Sequence, residues 1–591
     1  MKNFHKLELL MILLIMGNFG EAFSQPYPGY TLYTANSTRT NLMNLNNQVV
    51  KFWTHTRSGG YSVYLLRNGD LMRPALSTNS TINGGAAAGI VQKYSWSGTL
   101  LWEYTYSSNT YRTHHDICPL PNGNVLLIAW EVKTAAQAVA SGLNHSAIIW
   151  PDHIIEVQPS GSNGGTIVWK WHFWDHLIQD YDATKANYGV VANHPELLDI
   201  NVGSAGSGDW MHINGISYNE ALDQIVISSH ELDEVYVIDH STTTAEAAGH
   251  TGGRYGKGGD ILYRWGRPSN YRAPGSQVFN VVHSSTWIPD SVPGGGHIMA
   301  FNNREGTNAS HVVEIVPPTD SAGFYSYTPG TAYGPASSVW TYSASGFYSN
   351  HLGGCQRLPN GNTIISESTS GNLFEINSAG STVWNYSPGG EIVRVLRYGF
   401  DYPGLSALVI NLNVTAIMEG FYDGNFNNMR MADTATVFLR NAASPYAVVD
   451  SAKTLLNANT FTGLFSLGRA ASGSYYISLK HRNSVETWSN APVSMTVGGT
   501  TNFDFTTSAS QAYGSNQVLI DNSPQRYAIY SGDVNKDGTV DAADLSLIDN
   551  DAFNFVSGYV QTDVTGDNTA DASDASVTDN NAFNFVGRIT P

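Results

Sequence analysis

LPNGNVLLIA, from Leu120 to Ala129, returns almost unchanged as LPNGNTIISE, from Leu358 to Glu367. Asn-Gly ahead of an apolar run specifies a tight hairpin, because both turn residues must accept positive φ. YLLRNGDLMR at 64–73 is a third hairpin of this kind. Distant copies of one hairpin predict a repeat, and its other half is a strand ending in tryptophan. VVKFW, TLLWEY, TIVWKW, DILYRW, SSVWTY and STVWNY place Trp53, Trp102, Trp169, Trp265, Trp340 and Trp384 in six such units. Several short strands per unit, at an uneven period of about 45 to 95 residues, predict an all-β chain whose residues 25–404 form a six-bladed β-propeller. The long insertions between units are where a rigid scaffold carries its site.

Beyond Tyr402-Pro403-Gly404 the tryptophan period stops. Residues 405–530 alternate apolar and polar positions (LVINLNVTAIMEGFY, TATVFLRNA, GSYYISLKHRN), which predicts an Ig-like or transthyretin-like β-sandwich spacer. A seventh blade plus linker is the competing reading, and no LPNGN-type unit supports it. At the other end, residues 1–24 have the layout of a cleavable export signal: Lys2 and Lys6, an apolar run from Leu9 to Met16, then small residues at Ala22 to Ser24. No later stretch is long and apolar enough to span a bilayer, so the expected location is secreted: extracellular, cell-surface or periplasmic. A net charge of -18 argues against nucleic acid as partner. Cys118 and Cys355 each precede an LPNGN hairpin; two cysteines make no disulfide framework, and whether they pair is open.

Half of the excess charge sits in the last tenth of the chain, where eleven aspartates face only Lys536 and Arg588 over residues 532–591. This stretch, within a terminal domain at 531–591, is two gapless copies of 30 residues. In the first, oxygen ligands fall at the spacing of a calcium loop: Asp533, Asn535, Asp537, the Thr539 carbonyl, Asp541 and Asp544, with Gly538 at the sharp turn. The second offers Asp563, Thr565, Asp567, Thr569, Asp571 and Asp574 with Asn568 at the turn, and threonine at its third position predicts the weaker site. With few large apolar groups, folding here is expected to need the metal. An acidic, solvated tail is the bland alternative, but charge repulsion does not dictate one spacing twice. The pair resembles a type I dockerin, a small α-helical module of two calcium loops each followed by a helix. That resemblance implies structural calcium and a protein partner onto which the tail docks.

Histidines recur ahead of hairpins in the propeller region: His115, His212, His283 and His351, 68 to 97 residues apart. In a propeller such positions converge on one channel, where imidazoles bind anions, move protons or act as nucleophiles. Singly, each is better explained as a hydrogen-bonded strand-end residue; four at equivalent places tip the balance toward a site. No HxH or HExxH pattern points to zinc or copper.

GDWMHINGISYNEALDQIVISSHELDEVYVID (208–239), VVHSSTW (281–287), HIMAFNNREGTNASHVVEI (297–315) and CQRLPNGNTIISESTSGNLFEIN (355–377) resemble the exported arylsulfate sulfotransferases, and the likeness spans most of residues 29–400. The resemblance implies sulfuryl transfer from a phenolic sulfate to a phenol through a sulfated histidine, with no nucleotide cofactor. It assigns His212, His283 and Arg304 to the sulfate. It also marks a departure: Asn372 stands where the reactive histidine is expected, which leaves the chemistry lost or passed to His351 or His115. His230 and His311 add imidazoles where arginine is expected. The alternative is a catalytically silent extracellular propeller that binds a ligand or surface.

Overall fold

The computed structural model describes residues 25–591 apart from 37, 60, 204–207 and 305–307, so the expected signal at 1–24 lies outside the described residues. Two compact units divide the chain, the first ending at Gly399 and the second running Phe400–Pro591. Gly399 ends the last strand of the first unit. The sandwich and the acidic tail, expected as separate domains, lie together in the second unit.

Six four-stranded antiparallel sheets dominate the first unit. Their last strands, Val49–Thr54, Leu100–Thr105, Gly164–His172, Tyr263–Trp265, Trp340–Tyr342 and Thr382–Tyr386, carry the six repeat tryptophans. The side chain that repeats is the one that links sheets. Trp53 Nε1 donates to Ser95 O at 3.0 Å, Trp102 to Gly164 O at 2.8 Å, Trp169 to Thr242 Oγ1 at 3.1 Å and Trp265 to Pro335 O at 2.8 Å. Gly164 lies in a strand of the sheet that follows and the other three acceptors in connections of theirs, and Trp384 of the sixth reaches Leu45 O near the first at 3.2 Å. Trp340 does the same job with its face, under the Arg357 guanidinium of the sixth sheet at 4.8 Å. A buried indole supplies apolar area and one N–H, which suits a position that must both pack and attach.

The first sheet combines both ends of the unit: Val395–Gly399 pairs with Gly29–Asn36 in the register Gly29↔Gly399 to Tyr33↔Val395. In the second unit, Ile410–Thr415 pairs antiparallel with Thr462–Leu467 and parallel with Thr500–Asp504. A second sheet holds Asp433–Asn441 between Val448–Leu456 and Gly473–Lys480. Leu412, Val414 and Phe465 from one sheet share a core with Val437, Leu439 and Ile477 from the other. Two 12-residue helices, Ala542–Phe553 and Ala572–Phe583, complete the unit. Among the described residues no helix is long and apolar enough to cross a membrane.

Candidate active site

The first strands of four consecutive sheets are Tyr111–Pro119, Ile213–Asn219, Val282–Trp287 and Gly354–Arg357. In or just before each sits a left-handed residue: His115 (φ 49°), His212 (φ 54°), Ser284 (φ 52°) and Leu352 (φ 59°). None is glycine, so each costs on the order of 1–2 kcal/mol of backbone strain. The ladders slip at the same places, between Thr113 and Ile117, Ile213 and Gly215, and His283 and Thr286. A bulge re-aims side chains, and here the rings form a chain. Centroids lie 4.5 Å apart for His115 and His212, 4.8 Å for His212 and His230, and 5.5 Å for His230 and His283.

Two of these rings are backed by an acid. Asp209 Oδ2 lies 2.7 Å from His212 Nδ1, and Asp209 Oδ1 accepts from Trp130 Nε1 at 2.8 Å. A carboxylate at Nδ1 fixes the proton there and leaves the lone pair on Nε2. Behind His115 runs a relay: Asp152 Oδ1 meets His114 Nε2 at 2.6 Å, and His114 Nδ1 meets His115 Nδ1 at 2.8 Å. His283 is engaged at both nitrogens, with Asn303 Oδ1 2.6 Å from Nδ1 and the Leu352 amide donating to Nε2 at 3.3 Å. His230 Nδ1 approaches Glu231 Oε1 at 2.9 Å without the alignment of a hydrogen bond.

Burial pulls His114 down to about 3, while burial and the Asp209 charge hold the Asp152 carboxyl well above its ordinary value. Groups shifted in those directions share one proton rather than standing as imidazolium and carboxylate. Burial, then the charge of His212, drives His115 well below 6.5; burial, then His230, does the same to His283. His212 moves the other way: burial opposes it, but the hydrogen bond and charge of Asp209 raise it. Of His115, His212 and His283, it is His212 that takes a proton first.

Beside the rings a cavity is lined by Tyr61, His115, Asn214, His283 and Arg394. Arg394 is buried, its Nη1 2.8 Å from Asp116 Oδ2, and Asp116 Oδ1 accepts from the Tyr64 hydroxyl at 2.8 Å. Of the residues expected from the sequence, His115, His212 and His283 come together here. His351 stands at the edge, half-exposed, with Nε2 3.3 Å from Glu391 Oε1. Arg304 is exposed and donates from Nε to Asn350 O at 2.9 Å. Asn372 donates to Glu367 Oε2 at 3.1 Å and accepts from Ser387 Oγ at 2.7 Å. Neither Arg304 nor Asn372 takes part in the imidazole chain. Asp209, His114, Asp152 and Arg394 were not anticipated, although Asp209 and His114 lie within the motifs that drew attention to their neighbours. Cys118 and Cys355 are both free thiols.

In the tail, Asp541 and Asp571 cap the two helices, and Asp544 and Asp574 reach back to the cap amides. Four of the expected calcium ligands thus also hold helix starts. Asp533 is 3% exposed; its Oδ2 accepts from the Gly538 amide at 3.2 Å, and its Oδ1 has no partner. Burial, with Asp544 and Asp537 nearby, pushes this carboxyl up to about 6. An orphaned buried carboxylate oxygen fits a cation. In the second loop Thr565 Oγ1 is orphaned too, but Asp563 already accepts from the Gly566 and Asp567 amides at 2.8 and 3.0 Å and from Arg482 Nη2 at 3.1 Å. No three acids of either loop bring oxygens within 4.8 Å of one another.

Fold and site together define an all-β protein organised around a buried, acid-backed histidine cluster. The chain belongs to the arylsulfotransferase (ASST) family, whose model matches residues 75–395, more than half of its length. No curated protein matches it. Among solved structures, a protein of unknown function from Bacteroides caccae is similar at 13% identity over 63% of this chain and 98% of that one, with a TM-score of 0.36. AztD of Citrobacter koseri is similar at 9% identity over 63% and 98%, with a TM-score of 0.29. A type II cohesin–X-dockerin complex from Acetivibrio cellulolyticus is similar at 14% identity over 30% and 96%, with a TM-score of 0.20.

Proposed function

We propose that this chain is an exported sulfuryl-transfer enzyme acting between phenolic compounds, its six sheets the blades of a propeller whose central channel holds the imidazole cluster. The carrying observation is the ring chain His115–His212–His230–His283, backed by Asp209 at one ring and by the Asp152–His114 relay at another. With Nδ1 held by Asp209, His212 offers a lone pair at Nε2. Attack on the sulfur of an aryl sulfate forms an N–S bond, breaks the S–O bond to the ring, and sends that electron pair out on the phenolate. The relay ending at His115 gives the phenolate its proton and takes one from the incoming phenol, whose oxygen then displaces the sulfuryl group from nitrogen. Arg394, paired with Asp116, lines the cavity with a guanidinium whose remaining N–H groups are donors for the sulfate oxygens. In this assignment His212 passes from holding sulfate to reacting with it, and no nucleotide cofactor is needed.

The tail is a dockerin-like module that attaches the enzyme to a partner protein. Calcium, held in the first loop by Asp533, Asn535, Asp537, the Thr539 carbonyl, Asp541 and Asp544, neutralises acids that otherwise repel one another. The repeated AFNF ends leave Phe553, Phe555, Phe583 and Phe585 more than four-fifths exposed, apolar surface that a docking partner would cover.

Purified protein incubated with 4-nitrophenyl sulfate and phenol is expected to release nitrophenolate, and His212→Ala to abolish the release. No release from the native protein or from Asn372→His would sink the transferase reading. It would leave the ligand-binding propeller, the reading that asparagine at position 372 favours.

A further inference from the structure

We propose that His176, His250 and Asp260 form a zinc-type metal site on the first unit, apart from the imidazole cluster and independent of its chemistry. Among the described residues this is the one group of three histidine, cysteine or acidic side chains whose ligand atoms all lie within 4.8 Å of one another. His176 follows the short turn Phe173–Asp175, His250 lies in the glycine-rich segment after Thr244–Ala247, and Asp260 precedes the strand Tyr263–Trp265. Three separate pieces of chain thus deliver one ligand each.

With both rings neutral, one contact in the group lacks a donor. His176 Nε2 stands 2.9 Å from the Ala247 carbonyl, an acceptor only, so the ring N–H points there and Nδ1 carries the lone pair. That nitrogen lies 2.8 Å from Asp260 Oδ1, and His250 Nδ1 lies 2.7 Å from the same oxygen. The His250 contact closes with a neutral ring that carries its N–H at Nδ1, but the His176 lone pair faces a carboxylate oxygen and needs one positive centre between them. A divalent ion placed among the three ligand atoms supplies it and holds both rings at once.

The surroundings suit a metal. Backbone carbonyls commonly orient metal-binding imidazoles through the far N–H, and Ala247 O does so here. The His176 ring is fully buried and stacks on Trp171 with centroids 5.6 Å apart, whereas the His250 side chain is 59% exposed, which leaves a face open for water as a fourth ligand. Gly259 lets the chain pass: a Cβ there would lie 2.0 Å from Ala247 O and 2.6 Å from His176 Nε2. Two imidazoles and one carboxylate are a borderline donor set, matched to zinc rather than to calcium.

The test uses metal-stripped full-length protein with excess calcium present, so that the tail loops are occupied. Cobalt(II) is titrated while the d–d bands of a tetrahedral site are followed, and zinc is then added to displace it. One equivalent is expected in the native protein and in the His115→Ala/His212→Ala double variant. In His250→Ala, whose exposed position leaves folding intact by circular dichroism, binding should weaken by at least the roughly 100-fold that loss of an outer-shell partner costs. Asp260→Asn should lose it as well. No cobalt or zinc binding by the native protein, equal binding by His250→Ala, or loss in the double variant would each overturn the proposal.

Discussion

Asp209 decides which nitrogen of His212 can react. Asparagine there keeps the shape but offers an amide that can donate to Nδ1, which moves the ring proton to Nε2 and removes the lone pair from the reacting side. Asp209→Asn is therefore expected to cut kcat for nitrophenolate release by about 100-fold or more while leaving KM nearly unchanged. The pH profile supplies a second readout. Asp209 holds His212 above 6.5, so the limb on which activity rises with pH should lie above 6.5 in the native enzyme and shift to lower pH in Asp209→Asn. His240 makes a comparable test for stability. Its Nδ1 meets Asp223 Oδ1 at 2.8 Å and its Nε2 meets Glu156 Oε2 at 3.0 Å, joining the third and fourth sheets. Burial opposes its charge, but the two carboxylates raise it from 6.5 to about 9. A group raised on folding contributes fully below its unfolded value, so this contribution, up to about 3 kcal/mol, is present below pH 6.5 and lost as pH rises through 9. The gap in unfolding midpoint between native protein and His240→Gln should be wide at pH 6 and narrow at pH 10.

At the scale of elements, the two acidic loops share a spacing and differ in what already fills them. The first keeps an orphaned Asp533 oxygen, and the second has Arg482 against Asp563. Calcium titration followed by calorimetry should therefore show a tighter and a weaker site, with Asp533→Asn removing the tighter one and Asp563→Asn leaving it; the reverse would misassign the loops. That difference was half legible. Ligand spacing is local, so both loops stand out in the sequence, but Arg482 comes from the sandwich and no local pattern announces it. The same division runs through the first unit. The tryptophan strands are readable because one side chain both packs its own sheet and reaches the next. The inner strands are less so: Tyr64–Leu65 is two residues long, and the left-handed turns at Ser284 and Leu352 fall on residues with no preference for that conformation. Histidines ahead of hairpins announced the cluster, while Arg394 entered it from a stretch with no motif.

For the molecule as a whole, the decisive pairing is the one that sequence proximity cannot supply. Five of the six sheets are built from four strands in succession, but the first borrows Val395–Gly399 from the far end of the unit, and that strand lies against Gly354–Arg357 of the sixth. The indole of Trp384 links the same two sheets from outside. Opening this clasp should loosen the neighbouring sheets before it unfolds the rest. Gly29 is the place to strain it, because a Cβ there would lie 2.1 Å from Tyr398 O, a backbone atom that cannot swing away. Gly98 is the control: it sits at φ +94° with nothing within 4 Å, so alanine there costs only the left-handed backbone, about 1–2 kcal/mol. Gly29→Ala forces strands apart and is expected to cost about 3 kcal/mol, at the upper end for overpacking. Hydrogen exchange should rise at Thr31–Tyr33 and Val395–Tyr398 in Gly29→Ala while Leu126–Trp130 of the third sheet stays protected. If Gly29→Ala unfolds at the same temperature as Gly98→Ala with no local rise in exchange, the end-to-end pairing is not what keeps the six sheets together.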